Sequence, residues 1–365
     1  MRHVSWRAWA EEENAAIRAA GRWREVVDLD GGGPRFGSLV SFASNDYLGL
    51  TQHPAVRTAA HDAIERWGTG SGSARLIVGS RPVHSDLEEA LAAWKGTEKA
   101  LLFPTGFAAN LGVLAALGGP GTTIVSDELN HASIIDGCRL ARAEIAVFRH
   151  GDLDHAEALL RAARGRRMLV TDTVFSMDGD VSDLAGLGAL CARYGALLVL
   201  DEAHAVLGPH PDLDGVEALR VGTLSKTLGS LGGFVAGPAP LVDLLRNRAR
   251  PFIFTTAPTP ADAAAALAAL QVLCSAEGDQ LLRRLRANVD AVRPGHPSPI
   301  VPIVVGCETD AVALSARLRE RGLVVPAIRP PTVPPGTSRL RVTLSAAHTD
   351  EEVAKLVRAL GELCG

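Results

Sequence analysis

The sequence predicts an α/β protein: a mainly parallel, seven-stranded sheet with helices on both faces, followed by a smaller α+β domain. Three observations carry this reading. Seven apolar runs of strand length recur at residues 99–103, 121–126, 144–149, 167–174, 196–201, 218–224 and 232–237, most of them separated by segments of helical period. The run Ala196-Leu197-Leu198-Val199-Leu200 is apolar throughout, as a strand covered on both faces must be. After about residue 240 the alternation gives way to an Ala-rich helical stretch and then to a Pro-rich turn, where a second unit begins.

In chain order, the first 20 residues read as an amphipathic helix, followed by a Gly-rich turn at 31–33 and a strand at 39–43. The seven strands and their helices come next. A helix at 261–274, another reaching about Asp290 and the turn at 294–299 close the large domain. The smaller domain takes strands at 300–305, 323–325 and 339–343 and helices at 309–320 and 350–361. The expected division is an N-terminal helix and arm (1–40), a large domain (41–290) and a small C-terminal domain (291–365). The segment 330–336 is too short for a linker and reads as a rigid Pro-rich loop. No internal repeat interrupts this plan.

Composition excludes several classes of function. The chain has 365 residues, 47% hydrophobic and 21% charged, without an apolar run near the roughly 18 residues a membrane span needs, so it reads as soluble and globular. A formal charge of -4, with both signs spread along the chain, leaves no basic footprint for nucleic acid. The five cysteines are odd in number and widely spaced, which suits cytosolic thiols better than a disulfide framework or a zinc site. Trp6, Trp9 and the run Glu11-Glu12-Glu13 do not resemble a signal peptide, so a cytoplasmic protein is expected. Only four of the 37 basic residues are lysines (Lys95, Lys99, Lys226 and Lys355), and a lysine in an apolar, Gly-rich stretch calls for a reason, since an amine forms imines and a guanidinium does not.

The candidate residues collect where strands end. In open α/β sheets the carboxyl ends of the strands face the ligand crevice, and the buried run at 196–200 ends in Asp201-Glu202-Ala203-His204. A carboxylate there has lost solvent and needs a cationic partner. A metal is the rival partner, but no further His or Cys cluster lies at ligand spacing. The strand at 218–224 runs into Ser225-Lys226-Thr227, an amine flanked by hydroxyls, against which stands the plain reading of a solvated lysine. The segment Phe103-Pro104-Thr105-Gly106-Phe107 reads as strand, tight turn and helix start, where Gly106 would let backbone N–H groups approach an anion. The Gly-rich run 68–73 lacks dinucleotide spacing and reads as a loop. Together, Lys226, Asp201 and the helix start supply what pyridoxal 5'-phosphate requires: an amine for its aldehyde, a carboxylate for its ring nitrogen and donors for its phosphate. His131, after the strand at 121–126, could stack on the pyridine ring. Ser176, after the strand at 167–174, could donate to its phenolate.

Seven segments give a family resemblance: Ser44-Asn45-Asp46-Tyr47-Leu48-Gly49-Leu50, Thr105-Gly106-Phe107-Ala108-Ala109-Asn110, Asn130-His131-Ala132-Ser133, Phe175-Ser176-Met177-Asp178-Gly179-Asp180, Asp201-Glu202-Ala203-His204, Gly222-Thr223-Leu224-Ser225-Lys226 and Phe252-Ile253-Phe254-Thr255-Thr256. In this order they resemble the α-oxoamine synthases, pyridoxal phosphate enzymes of the fold type I transferase class. The tails 327–334 and 339–348 look like the alanine-using branch of that family. The resemblance implies that Lys226 carries the cofactor aldehyde, Asp201 pairs with the ring nitrogen, His131 stacks on the ring, and Ser176 and His204 contact the phenolate. It places Gly106, Phe107 and Thr223 around the cofactor and Thr256 at the phosphate of a neighbouring subunit. Arg329 would hold the amino acid carboxylate, with Asn45 and Thr332 near the substrates and Arg18 as the basic residue meeting the acyl substrate. It further implies a cytoplasmic homodimer that condenses L-alanine with a pimeloyl thioester, on CoA or an acyl carrier protein, in biotin synthesis. A glycine-using relative of the 5-aminolevulinate synthase or 2-amino-3-ketobutyrate CoA ligase type is the alternative, and a non-catalytic pyridoxal phosphate-binding regulator a more distant one. The N-terminal region is short and the loop between His204 and Thr223 looks shorter than in most relatives.

Overall fold

Ser5 has an extended backbone and accepts a hydrogen bond from the Ala8 N–H, which starts helix α1 (Trp6–Ala19). The computed structural model describes residues 5–209, 212–213 and 215–364, and it separates the chain up to Gly31 from a second unit, Gly32–Gly365. In the first unit no residue of α1 is buried, and the Arg18 guanidinium lies 3.6 Å over the Trp23 ring.

The second unit opens with β1 (Arg35–Phe36) and β2 (Leu39–Ser41), then α2 (Pro54–Trp67) and α3 (Pro82–Lys95). Next come β3 (Lys99–Phe103), α4 (Gly106–Leu117), β4 (Thr122–Asp127), α5 (Ala132–Leu140), β5 (Glu144–Phe148), α6 (Leu153–Ala162), β6 (Arg166–Asp172), α7 (Leu184–Tyr194) and β7 (Ala196–Asp201). After β8 (Ala218–Thr223) and β9 (Gly233–Gly237) the chain is helical through α8 (Ala239–Arg248), α9 (Arg250–Ile253), α10 (Pro260–Leu273) and α11 (Ala276–Val292). The smaller C-terminal part holds β10 (Ile300–Gly306), α12 (Glu308–Glu320), β11 (Leu323–Val324), β12 (Ala327–Ile328), β13 (Ser338–Thr343) and α13 (Asp350–Cys364).

The seven-stranded sheet runs β3-β9-β8-β7-β6-β4-β5, parallel except that β9 is antiparallel to both neighbours. Alternate side chains go to opposite faces, and both faces are covered. Met168, Val170, Val199, Val221 and Val235 pack with α4, α5 and α8 in one cluster, while Leu169, Leu198 and Leu200 pack with α6 and α7 in another. By that parity Asp172 and Asp201, paired in register at the ends of β6 and β7, share the face that carries α4 and α5. Burying one such Val or Leu contributes about 1.5–3 kcal/mol, so the strand ends sit on a rigid base.

The fold class is the one expected. One strand differs: Leu323 and Val324 pair in parallel with Val40 and Ser41 and do not join the small sheet. Pro326 has no N–H to extend that ladder, and the place beside β13 in the order β10-β13-β12 is taken by Ala327–Ile328. Among the described residues no helix is long and apolar enough to cross a membrane. Residues 210, 211 and 214 of the loop after His204, and the side chain of Cys364, lie outside the described residues.

Candidate active site

Lys226 follows β8, and its Nζ lies 2.8 Å from Nε2 of His204, which sits in the turn after β7. The other ring nitrogen of His204, Nδ1, is 2.5 Å from the hydroxyl of Tyr47. Both Tyr47 and His204 are buried. Burial holds the His204 imidazole well below its usual range, aided by the Lys226 and Arg341 cations, and it pushes the Tyr47 phenol up. Lys226 is pulled down first by burial, against the attraction of Asp201 and Asp172 and with help from Arg341. Burial therefore pushes Lys226 toward the free amine, against its two carboxylate neighbours. Lys226 is held in place by the chain that follows it. Gly229 has φ +59°, and a Cβ there would lie 2.6 Å from the Thr51 nitrogen, so the turn after Lys226 packs directly against the end of the Ser44–Leu50 segment.

Asp201 ends β7 with its carboxylate turned toward α4 and α5. It accepts hydrogen bonds from Asn110 Nδ2 (2.6 Å) and from the Ala203 N–H (2.9 Å), both neutral donors. Asp172 beside it accepts the His131 N–H (2.7 Å), and its carboxyl is raised well above the usual range by burial and then by Asp201. His131 is the N-cap of α5, with its ring 6.3 Å from that of Phe107 in an edge-on arrangement. Burial lowers His131, Asp201 raises it and Lys226 lowers it.

The N-terminus of α4 lies next to the end of β8. Thr105 caps the helix through the Ala108 N–H (3.0 Å), and a Cβ on Gly106 would come 3.2 Å from Cβ of Thr223. Thr223 Oγ1 accepts from the Ser225 N–H at 3.2 Å and donates to the Gly232 carbonyl at 3.0 Å. Backbone N–H groups and hydroxyls thus converge at one end of a site whose other parts are an amine and a carboxylate.

A second set of residues reaches the site from β13. Arg341 is buried, and its guanidinium donates to the Ser176 carbonyl, to Thr343 Oγ1 (3.0 Å) and to Asn45 Oδ1 (3.2 Å), which are all neutral acceptors. Arg339 pairs with Asp178. Ser176 and Thr332 line one cavity of about 470 Å³ with Leu129, His150, Phe175 and Val333. His150 fixes the loop that carries Ser176: Nδ1 lies 3.1 Å from Asp127 and Nε2 2.8 Å from Asp180, which push it up to about 10. Arg329 follows β12, and Thr256 is exposed in the segment after α9. Arg18 belongs to the other unit.

The structure thus brings Lys226, His204, Asp201 and His131 together, and it joins Asn45 to Ser176 through Arg341. The sequence reading gave no role to Tyr47, Asn110, Ser133, Asp172, His150 or Arg341. Four of these stand in the quoted motifs, so the signal was present in the residues and missing was the contact.

A carboxylate with only neutral donors, a buried amine whose pKa burial lowers and a helix N-terminus fit pyridoxal phosphate. The ring nitrogen would meet Asp201, the aldehyde Lys226, and the phosphate the Gly106 and Thr223 end. Among the described residues no group of three or more His, Cys, Asp or Glu could hold a metal ion.

Residues 38–360 match the family model of the class I and II aminotransferases. The chain is 48% identical to an 8-amino-7-oxononanoate synthase from an Anaeromyxobacter species over 96% of this chain and 94% of that one. It is 46% identical to the synthase of Acidithiobacillus ferrooxidans over 99% of each. Among solved structures, serine palmitoyltransferase from S. paucimobilis with bound pyridoxal phosphate superposes with a TM-score of 0.91, 28% identity, 100% of this chain and 98% of that one. An 8-amino-7-oxononanoate synthase from Francisella tularensis, at 24% identity and TM-score 0.74 over 89% and 97%, shares the fold.

Proposed function

Because the chain belongs to the class I and II aminotransferase family, in its α-oxoamine synthase branch, we infer that it is a pyridoxal phosphate-dependent acyltransferase. It condenses L-alanine with a pimeloyl thioester to give 8-amino-7-oxononanoate, CO2 and free thiol, a step of biotin synthesis. The observation that carries the chemistry is the buried Lys226 amine, its pKa lowered by burial, within the field of the buried Asp201 carboxylate.

Bound pyridoxal phosphate supplies an aldehyde that reacts with amines and a protonated ring that takes up the electron pair left when a Cα–H bond breaks. The carboxylate of Asp201 would keep a proton at the ring nitrogen. His131 would cover the ring, and Ser176 and His204 would meet its phenolate. Gly106, Phe107 and Thr223 would hold the cofactor, with Thr256 serving the phosphate in a partner subunit. Arg329 anchors the alanine carboxylate through a charge-assisted pair and so fixes the direction of the Cα–H bond, with Asn45 and Thr332 alongside. Lys226 Nζ, desolvated by burial that lowers its pKa, would receive the Cα proton and later return one. In this reading the small domain (291–365) brings Arg329 and Thr332 to a large domain (41–290), and residues 1–40 form the arm. A homodimer is supported by the exposed apolar side chains Leu76, Ile77 and Val78, next to α9 and the exposed Phe254.

The purified protein loaded with pyridoxal phosphate, given L-alanine with pimeloyl-CoA or with the pimeloyl acyl carrier protein, is expected to release CO2 with one of the two. NMR of Cα–H exchange in D2O is expected to show faster loss of signal from L-alanine than from glycine. Faster exchange of glycine, or no CO2 with either donor, would overturn the assignment.

A further inference from the structure

Asn110 lies one turn into α4, is buried and spends both amide hydrogens inside the site: Nδ2 donates to Asp201 Oδ2 at 2.6 Å and to Ser133 Oγ at 2.9 Å. Its Oδ1 is buried without a hydrogen-bond partner. Turning the amide over would set that oxygen against the carboxylate oxygen at hydrogen-bond distance, two acceptors with no hydrogen between them, so Asp201 fixes its orientation. A buried carbonyl left unpaired is costly, and an apolar side chain in its place would avoid that cost. The amide is kept for its two donors.

Ser133 carries the effect onward. Its hydroxyl oxygen receives the Asn110 N–H, so its own hydrogen is free to point to His131 Nδ1 at 2.7 Å. The Ser133 backbone N–H is aimed at the same nitrogen at 3.2 Å. Two donors converge on Nδ1, which therefore accepts and bears no proton. The hydrogen of the neutral imidazole is then on Nε2.

We propose that Asn110 is a positioning residue that, through one amide, holds the Asp201 carboxylate and, through Ser133, locks His131 as the neutral tautomer protonated at Nε2. The proposal rests on the cofactor reading above and extends it. The charged and titratable groups facing His131 are Asp201 from β7, Asp172 from β6, Lys226 from the loop after β8 and His204 from the turn after β7. Without Asn110 the Ser133 hydroxyl is free to accept from a protonated Nδ1, and without the hydroxyl Nδ1 loses a donor. Both changes favour the imidazolium.

The test uses holoenzyme labelled with 15N-histidine, with the His131 signals assigned by their disappearance in His131→Gln. Wild type is expected to show His131 with an unprotonated Nδ1 and a protonated Nε2. Asn110→Ala and Ser133→Ala are expected to move both nitrogens toward the protonated values at neutral pH and to shift the acid limb of kcat upward by about one pH unit, while Ser133→Thr keeps the wild-type pattern. Asn110→Ala is also expected to lower kcat about 10- to 100-fold, the loss of a hydrogen bond to a charged acceptor, with KM for L-alanine little changed. If Asn110→Ala does not fold, the two Ser133 variants decide. Wild-type signals and an unmoved pH profile in the variants overturn the proposal while leaving the cofactor reading intact. A wild-type enzyme that takes up no pyridoxal phosphate overturns that reading instead.

Discussion

Tyr47→Phe isolates the control of the Lys226 amine. The phenol has one hydrogen and two acceptors, Nδ1 of His204 at 2.5 Å and Oδ1 of Asn45 at 3.3 Å. The contact to Nδ1 is much the shorter of the two, so the hydrogen goes to Nδ1. His204 must then carry its own hydrogen on Nε2 and direct it at Lys226 Nζ, 2.8 Å away, which accepts it only as a free amine. Phenylalanine removes that constraint. His204 then presents an Nε2 lone pair to Lys226 and stabilises the ammonium. A hydrogen bond to a charged group is worth roughly 1.5–3 kcal/mol, and burial of the cation takes back part of it, so the Lys226 pKa should rise by about one unit, or about 1.4 kcal/mol. The assay is the rate at which apoprotein takes up pyridoxal phosphate, followed by absorbance from pH 6 to 10. Below the amine pKa the variant should react about tenfold more slowly, with its profile displaced about one unit to higher pH. A profile that stays in place, or moves to lower pH, refutes the hydrogen-bond assignment.

Two further outcomes follow from residues behind the site. His150 is raised to about 10 by hydrogen bonds to Asp127 and then Asp180, and with a folded value above the unfolded one its stabilisation is complete below about pH 6.5 and fades as pH rises through about 10. His150→Ala should therefore lower Tm at pH 6 by a few degrees, about 1–2 kcal/mol after screening by solvent, and the gap from wild type should close toward pH 10; a constant gap would show that the charge is unimportant. Gly222→Ala would put a Cβ 2.4 Å from the buried Phe234 ring, so it should cost about 1–3 kcal/mol and weaken cofactor retention by moving Thr223, whereas Gly70→Ala, with open space around it, should be silent in both thermal melts and cofactor titration.

The legible parts of the molecule are those written in short stretches of chain. The seven strands of the large sheet stood out as recurring runs rich in apolar residues, most plainly β7, which is covered on both faces, and Asp201 stood out as its polar end. The order of the strands was not legible, since β3 lies beside β9 through pairing that spans more than half the large domain. The same holds for the supporting residues of the site. Asn110 reads as filler in an apolar helix until Asp201, 91 positions later, takes its hydrogen, and Tyr47 meets His204 across 157 positions. The strand expected at 323–325 went elsewhere because two residues contain too little pattern to choose between β2 and the small sheet.

The buried charges explain why these supports are where they are. Asp172 and Asp201 stand side by side in register, and the first is raised well above its usual range by burial and by the second. Arg341 is a buried cation whose partners are neutral oxygens, and it acts at short range to depress Lys226 and His204. Burial drives Asp172, Lys226 and His204 toward their neutral forms. A protonated ring nitrogen brought to Asp201 would be a cation set against a carboxylate whose hydrogen bonds come from neutral donors, and it would relieve the carboxylate pair while disfavouring charge on the amine nearby. The arrangement that would welcome the cofactor thus also pulls Lys226 toward the free amine, so binding and proton transfer draw on the same set of buried charges.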